Sequence, residues 1–301
     1  FGGMWALFKT FASLNPTIIR PKAISILFIP STFVWGSGIF KDTICMFGLG
    51  WLTYASFRFL IQKDFSLRNI IIAGFCLVLI AKVKVYILLG FIPALVMWIL
   101  SVYTQNIKSA TLKIIVKTGV ILITLVGSSY FLESLGEEYL GRYSLENIEI
   151  TAESTRRWIT YSSGDEGSTY SLGNFPPTIN GMLAQFPLAV NVTLFRPYLW
   201  ESRKVIVLLS ALEAAVFLFL TLKLFFAIGL KRIWTTISIN PTVQFCFIFS
   251  IIFAFAVGVT SYNFGALSRY KIPCLPFYLL FLVLTFYLNQ KPEEKLLGKI
   301  I

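Results

Sequence analysis

Apolar runs of roughly 17 to 25 residues recur along this chain, each long enough to cross the hydrocarbon core of a bilayer. No other feature constrains the fold as much. A backbone in hydrocarbon must satisfy its own hydrogen bonds, and runs of this length do so as helices. With 56% hydrophobic and only 13% charged residues, the chain lies outside the composition of soluble globular domains. The expected fold class is therefore all-α, a polytopic transmembrane helical bundle of about eight spans.

One stretch breaks the pattern. Residues 133–204 lack a sustained apolar segment and carry nine of the fourteen acids: Glu133, Glu137, Glu138, Glu146, Glu149, Glu153, Asp165, Glu166 and Glu201. Six bases stand against them: Arg142, Arg156, Arg157, Arg196, Arg203 and Lys204. Buried in lipid, these charges would go uncompensated, so the stretch reads as a water-exposed loop. The implied organisation is an N-terminal membrane region over 1–132 with about five spans, the loop over 133–204, a C-terminal membrane region over 205–290 with about three, and a charged tail over 291–301.

The chain opens on Phe1 rather than Met, so further sequence upstream is expected. Residues 1–19, with Lys9 and the Asn15-Pro16 turn signal, look like the end of an element or an interfacial piece. Candidate spans cover 22–40, 43–61, 69–81, 85–103, a segment ending near Leu132, 205–228, 241–260 and 272–288. Pro30 and Gly36-Ser37-Gly38 interrupt the first. Either a kink or a broken helix lining a cavity accounts for them.

If each segment crosses once, fourteen bases fall on one side, from Arg20 and Lys22 through Arg58, Lys63, Arg68, Lys223, Lys231 and Arg232 to the tail. The other side receives the acidic loop and three tight turns at 41–42, 82–84 and 261–271. The positive-inside rule makes the first side cytoplasmic and the long loop extracytoplasmic.

Several function classes drop out. The net charge of +12 follows from topology in a membrane protein, and no nucleic-acid partner is implied. Histidine is absent, which removes imidazole acid–base chemistry and imidazole metal ligation. Cys45, Cys76, Cys246 and Cys274 lie in apolar segments without paired spacing and read as core residues. No metal-ligand spacing, nucleophile elbow or phosphate-binding glycine loop occurs, so no metal site and no cofactor are expected.

What remains is charge in unusual places. Lys41, Lys82, Lys84, Arg269 and Lys271 sit in turns on the side that positive-inside sorting disfavours. With Arg196 they make a candidate cationic collar for phosphate or pyrophosphate; snorkelling to lipid headgroups is the plainer alternative. Glu213 lies inside an otherwise apolar span, which marks it either as a catalytic carboxylate, orienting an arginine or acting as base in place of Asp42, or as one half of a salt bridge to Arg269 or Lys271. Asp42, beside Lys41, is placed to act as a general base. Ile179, Met182, Leu183 and Phe186 share one helical face between Pro176-Pro177 and Pro187, which predicts a short amphipathic interfacial helix near 177–187. The aromatic run Phe195-Arg196-Pro197-Tyr198-Leu199-Trp200-Glu201 is either a membrane-interface belt or a platform on which Tyr198 and Trp200 stack a sugar.

Residues Phe28 to Asp42 (which include Trp35), Thr193 to Glu201, and Ser268-Arg269-Tyr270-Lys271-Ile272-Pro273 with Pro276-Phe277 together resemble bacterial inner-membrane proteins of surface-polysaccharide assembly. They are similar to O-antigen polymerases and to glycosyltransferases of the GT-C class. The resemblance implies a glycan polymerase or glycosyltransferase of the bacterial cytoplasmic membrane that takes a polyprenyl-(pyro)phosphate-linked sugar as donor. By that resemblance Asp42 matches the carboxylate base of the first outer loop. Arg196 and Arg269 match the arginines that hold the lipid pyrophosphate, helped by Lys271, Lys41, Lys82 and Lys84. Trp35, Tyr198 and Trp200 would stack on the substrate. Membrane lipids, a lipid-linked glycan and other polysaccharide-assembly proteins are the partners implied. A transporter or flippase of the same lipid, or a non-catalytic subunit of an envelope complex, would use the same charges without covalent chemistry.

Overall fold

The computed structural model describes residues 1–105 apart from Asn15, residues 168–290 apart from Asn174, Pro177 and Arg203, and scattered positions between 107 and 161. Among the described residues every regular element is helical, and the one extended pairing is an isolated bridge between Thr169 and Asn263. The N-terminal part consists of α1 (Gly2–Leu14), α2 (Ile19–Leu27), α3 (Pro30–Ser37), α4 (Lys41–Ser56, prolonged by a π turn to Ile61) and α5 (Leu67–Thr104). From residue 179 onward come α6 (Ile179–Ala184), α7 (Phe186–Phe195), α8 (Val205–Ile228), α9 (Leu230–Ile239), α10 (Pro241–Ser261), α11 (Phe264–Tyr270) and α12 (Leu275–Asn289).

Among the described residues, four helical segments are long and apolar enough to cross a membrane alone: Lys41–Ile61, Leu67–Thr104, Val205–Ile228 and Pro241–Ser261. Two bent pairs raise the count to six if each is one span. The expected segment ending near Leu132 lies outside the described residues. The first bent pair joins the stretch Pro16–Leu27 to α3 at 56°, so the interruption around Pro30 is a true break rather than a gentle kink. Pro30 starts α3 instead of bending a longer helix, a position where its missing N–H costs nothing. The second pair joins α11 to α12 at 66°, and so replaces much of the tight turn expected over 261–271 with a short helix.

The two spans expected at 69–81 and 85–103 form one helical run, α5, with Lys84 as its non-helical residue (φ −152°, ψ 78°). A straight helix of that length would extend about 57 Å. Both ends of α5 nevertheless return to the same end of α4. Leu67 follows the 62–66 turn, which the Arg58–Asp64 ion pair closes at 2.5 Å, and the Tyr103 hydroxyl donates to the Leu60 carbonyl at 2.8 Å. Lys84 itself meets Asp42 at the opposite end of α4. The run is therefore a hairpin of two limbs, 67–83 and 85–104, folded at Lys84.

Helix α10 is the centre of the packing and touches α5, α7, α9 and α12. Its buried Phe245, Phe249 and Phe253 form an aromatic column. Trp98 stacks on Phe245 with centroids 4.6 Å apart, and Phe91 and Phe277 meet the same column edge-on. The four cysteines are buried and unpaired, as apolar core residues. Lys22, counted among the flanking bases, is buried within α2.

Residues 2–14 are an integral part of the bundle rather than an interfacial fringe, because Ala6, Leu7 and Phe11 are buried and α1 packs on α4 and α2. The approach is close enough that Gly50 and Gly3 meet backbone to backbone, and a Cβ on Gly50 would land on the Gly3 carbonyl. Small residues at such crossings let helices in lipid reach full van der Waals contact. Gly50→Ala should therefore cost about 1–3 kcal/mol by forcing the two helices apart. Unfolding midpoints in detergent would show it, and Gly74→Ala, where an added Cβ meets nothing within 4 Å, is the matched control.

The interfacial helix expected near 177–187 takes a different form. Thr178 caps α6, its hydroxyl accepting from the Gly181 N–H at 3.1 Å, and α6 ends at Ala184. Pro187 does not close this helix. It sits in the first turn of α7, an apolar helix whose Ala189, Val192, Thr193 and Leu194 are buried. The Thr193 hydroxyl donates to the Ala254 carbonyl of α10 at 2.7 Å, so the end of the long polar stretch re-enters the bundle.

Candidate functional site

Four acids fall among the described residues, and each is engaged by a specific partner. Asp64 is held by Arg58 at one end of the bundle. The other three, Asp42, Glu201 and Glu213, lie in three groups strung along or beside the short helix α11.

The first group forms where the start of α4, the fold of α5 and helix α11 come together. Asp42 lies in the first turn of α4, where a carboxylate complements the helix dipole. The linker before it is fixed by the Thr43 hydroxyl, which donates to the Gly38 carbonyl at 2.5 Å. Asp42 is buried at 2% exposure. Its Oδ1 accepts from Lys84 Nζ at the fold of α5, and its Oδ2 accepts from Arg269 Nη2 of α11 at 3.1 Å. Aromatic rings surround both cations. The Arg269 guanidinium lies 5.4 Å from the Trp35 ring and 5.0 Å from Phe40. Lys84 Nζ lies 4.7 Å from Tyr270 and 5.9 Å from Tyr86. Such cation–π contacts fix the cations without cancelling their charge. Arg269 Nε is buried and has no hydrogen-bond partner among the described residues, so the guanidinium keeps an unused donor.

The second group is built on Glu213, inside α8. Its Oε2 accepts from the Ser31 backbone N–H at 2.7 Å and its Oε1 from the Ser31 hydroxyl at 2.8 Å. Ser31 is in the first turn of α3, and Ile29, the residue before that helix, supplies no side-chain cap. The Glu213 carboxylate caps α3 from another helix, matching negative charge to orphan N–H groups at the break. Lys271, at the break between α11 and α12, is fully buried and interacts electrostatically with Glu213. Both broken helices thus converge on one carboxylate.

The third group holds Arg196, which ends α7. It donates to Glu201 from Nε at 3.0 Å and from Nη2, a forked pair that favours a fixed guanidinium plane. The Tyr198 N–H also donates to Glu201, at 2.8 Å. Partial burial raises the Glu201 carboxyl, but the Arg196 and Tyr198 hydrogen bonds and the Arg196 charge together outweigh it and hold the group below the usual carboxylate range. The Arg196 guanidinium lies 5.4 Å from Phe264 at the start of α11 and 6.0 Å from Tyr170. The described segment that begins at Ser168 is tied here: Phe264 N–H donates to the Ser168 carbonyl at 2.8 Å, and the Tyr170 hydroxyl donates to the Gly258 carbonyl at 2.8 Å.

Of the residues singled out by sequence, Asp42, Lys84, Arg269 and Trp35 meet in one cluster, while Glu213 and Lys271 form a second and Arg196 a third. Arg196 and Arg269 are not neighbours in one collar, since they meet opposite ends of α11. Tyr198 and Trp200 stack on each other at 4.9 Å. Trp200 is 81% exposed. Lys41 and Lys82 are exposed beside the first cluster's Asp42 and Lys84. Sequence reasoning missed Ser31, because its partner is 182 residues away, and it did not single out the rings of Phe40, Tyr86 and Tyr270 around the cations. Asn263, which caps α11 through the Gly265 and Ala266 N–H groups, carries a local signal, an Asn ahead of a short helix.

Comparison with family models, curated proteins and solved structures finds no match to this chain.

Proposed function

We propose that this chain is a glycan polymerase or glycosyltransferase of the bacterial cytoplasmic membrane, acting on a polyprenyl-(pyro)phosphate-linked sugar at the outer leaflet. The observation that carries the reading is the meeting of Asp42, Lys84 and Arg269, from three remote segments, at one end of an apolar bundle among Trp35, Phe40, Tyr86 and Tyr270. The arrangement supports a ligand exchange. A (pyro)phosphate bound by Lys84, Arg269 and the unused Arg269 Nε–H takes over the two cations, and Asp42 loses its counterions. The released carboxylate then accepts the proton of the acceptor hydroxyl as the new C–O bond forms and the bond from the anomeric carbon to phosphate breaks. Charge building on the leaving (pyro)phosphate stays against fixed cations in a low-dielectric site. Glu213 and Lys271 position the two helix breaks that carry Trp35 and Arg269, and Arg196 fixes the re-entry of the long loop. Counting the limbs of α5 separately, adding both bent pairs and the segment before Leu132, restores about eight crossings with the long loop outside.

The test is direct. Purified protein given a polyprenyl-pyrophosphate oligosaccharide should lengthen the glycan, and Arg269→Ala should reduce extension by about 100-fold or more, the scale for losing a transition-state charge stabiliser. Normal polymer length from Arg269→Ala protein would reject this site. One observation favours a second reading: paired broken helices meeting at an intramembrane carboxylate are a feature of transporters. In sealed vesicles a flippase would move the same lipid between leaflets and form no new glycosidic bond.

A further inference from the structure

Helix α9 lies at the opposite end of the bundle from Asp42. The chain enters it from α8 through Gly229, whose φ of +80° turns the backbone in a way that glycine adopts freely. It leaves through Asn240, which caps α10. Between these turns α9 is tied across the ends of other helices. Gln105 Nε2, just past α5, donates to the Ile239 carbonyl at 3.2 Å, and Asn289 Nδ2, the last residue of α12, donates to Thr236 Oγ1 at 2.8 Å.

Its faces divide by chemistry. Ile233 and Ile237 are buried against the bundle. Leu230 and Trp234, one turn apart, are 70% and 66% exposed on the adjoining strip. Lys231 and Arg232 are exposed on the polar side. The hydroxyls of Thr235, Thr236 and Ser238 all donate to carbonyls of their own helix, which leaves the two cations as the strong outward donors. No acid occurs in the sequence between Glu213 and Glu293, and Asp64, the described acid at this end of the bundle, is held by Arg58.

We infer that α9 is a binding surface for an anionic phospholipid: Lys231 and Arg232 take the headgroup phosphodiester, and Leu230 and Trp234 sit at the glycerol and upper acyl level. The occupant is a lipid because the cations share one short helix with exposed apolar side chains, an arrangement suited to the bilayer interface, and because their charge matches an anionic headgroup. This inference is independent of the activity proposed for the other end.

Native mass spectrometry of the full chain in detergent, titrated with phosphatidylglycerol or phosphatidylcholine, tests it. Phosphatidylglycerol should bind in preference, and the Lys231→Gln/Arg232→Gln double variant should bind it about 25-fold more weakly, at roughly fivefold per cation. A Thr235→Ala/Ser238→Ala variant, whose hydroxyls are committed to their own helix, should bind it like the parent, and millimolar inorganic phosphate should not displace it. Bilayers containing brominated phosphatidylglycerol supply a second readout: Trp234→Phe should remove part of the tryptophan quenching. Equal affinity of parent and Lys231/Arg232 variant, equal binding of the two lipids, or displacement by free phosphate would each overturn the proposal.

Discussion

Asp42→Ala should destabilise the protein by about 3–5 kcal/mol, because it removes the shared partner of two cations at a largely buried site. Asp42 is 2% exposed, and Lys84 is 11% exposed at its side chain. Without the carboxylate, the ammonium and guanidinium groups face each other across the space it occupied. The damage should spread beyond the pair. Lys84 is the residue at which α5 folds back, so its bond to Asp42 fixes the depth of that fold against the start of α4. Arg269 ties α11 to the same point, and through α11 the break before α12. Asp42→Asn retains the shape and removes the charge, so it should fall between parent and Asp42→Ala in unfolding midpoint and, on the proposed function, should lose glycan extension entirely.

A compensating variant separates stability from chemistry. Replacing the whole cluster by apolar residues, Asp42→Leu with Lys84→Met and Arg269→Met, should recover most of the lost stability, since buried ionic groups replaced together are often neutral or stabilising. It should recover none of the activity. Unfolding midpoints by fluorescence-detected size exclusion, set beside polymer length, give both readouts on the same preparations. An Asp42→Ala midpoint equal to that of the parent would mean that solvent, not this carboxylate, compensates the two cations.

The parts of this architecture visible in the sequence are those written in local hydropathy and charge. Apolar runs, the interruption at Pro30, and the odd placement of Asp42, Lys84 and Arg269 between apolar runs could each be read without tertiary information, because an ionised side chain beside a long apolar run is conspicuous whatever partner it finds. The pairing could not. Nothing within a few residues of Asp42 points to Lys84 or Arg269, and Glu213 finds Ser31 across 182 residues. Arg196 is the contrary case. Its partner Glu201 stands three residues past Tyr198, the spacing of a capping arrangement, so the local pattern carries the pair. Pro187 misled in another way, since a proline is as much at home in a helix's first turn as beyond its last. Helix α9 is hard to see for its length: ten residues are too few to span a bilayer and fall between two expected spans, although Ile233 and Ile237 recur at helical spacing and the flanking Gly229 and Asn240-Pro241 mark its ends.

Glu213→Ala should cost about 3–5 kcal/mol, the scale for breaking a buried charged contact by deleting one side, and it should do so by uncoupling the two helix breaks. The carboxylate serves two roles at once. Its oxygens accept both Ser31 donors at the start of α3, and its charge faces the fully buried Lys271. Single variants resolve these roles. Ser31→Ala removes only the hydroxyl donor and should cost about 1.5–3 kcal/mol, the range for a hydrogen bond to a charged group. Glu213→Gln keeps an acceptor for the Ser31 N–H but withdraws the countercharge from Lys271, so it should be destabilising where Ser31→Ala is also present and where it is not. Lys271→Met should then relieve much of the Glu213→Gln penalty while leaving the Ser31→Ala penalty in place. The double-mutant cycle between Ser31→Ala and Glu213→Ala should return a coupling of about 1–3 kcal/mol, as neighbours in one buried network do. The same variants decide what Glu213 contributes to function. If it positions the helix breaks, activity should fall in step with stability across the series and return in Glu213→Gln/Lys271→Met. A Glu213→Gln protein of parental stability and no activity would instead make the carboxylate itself a participant in the chemistry.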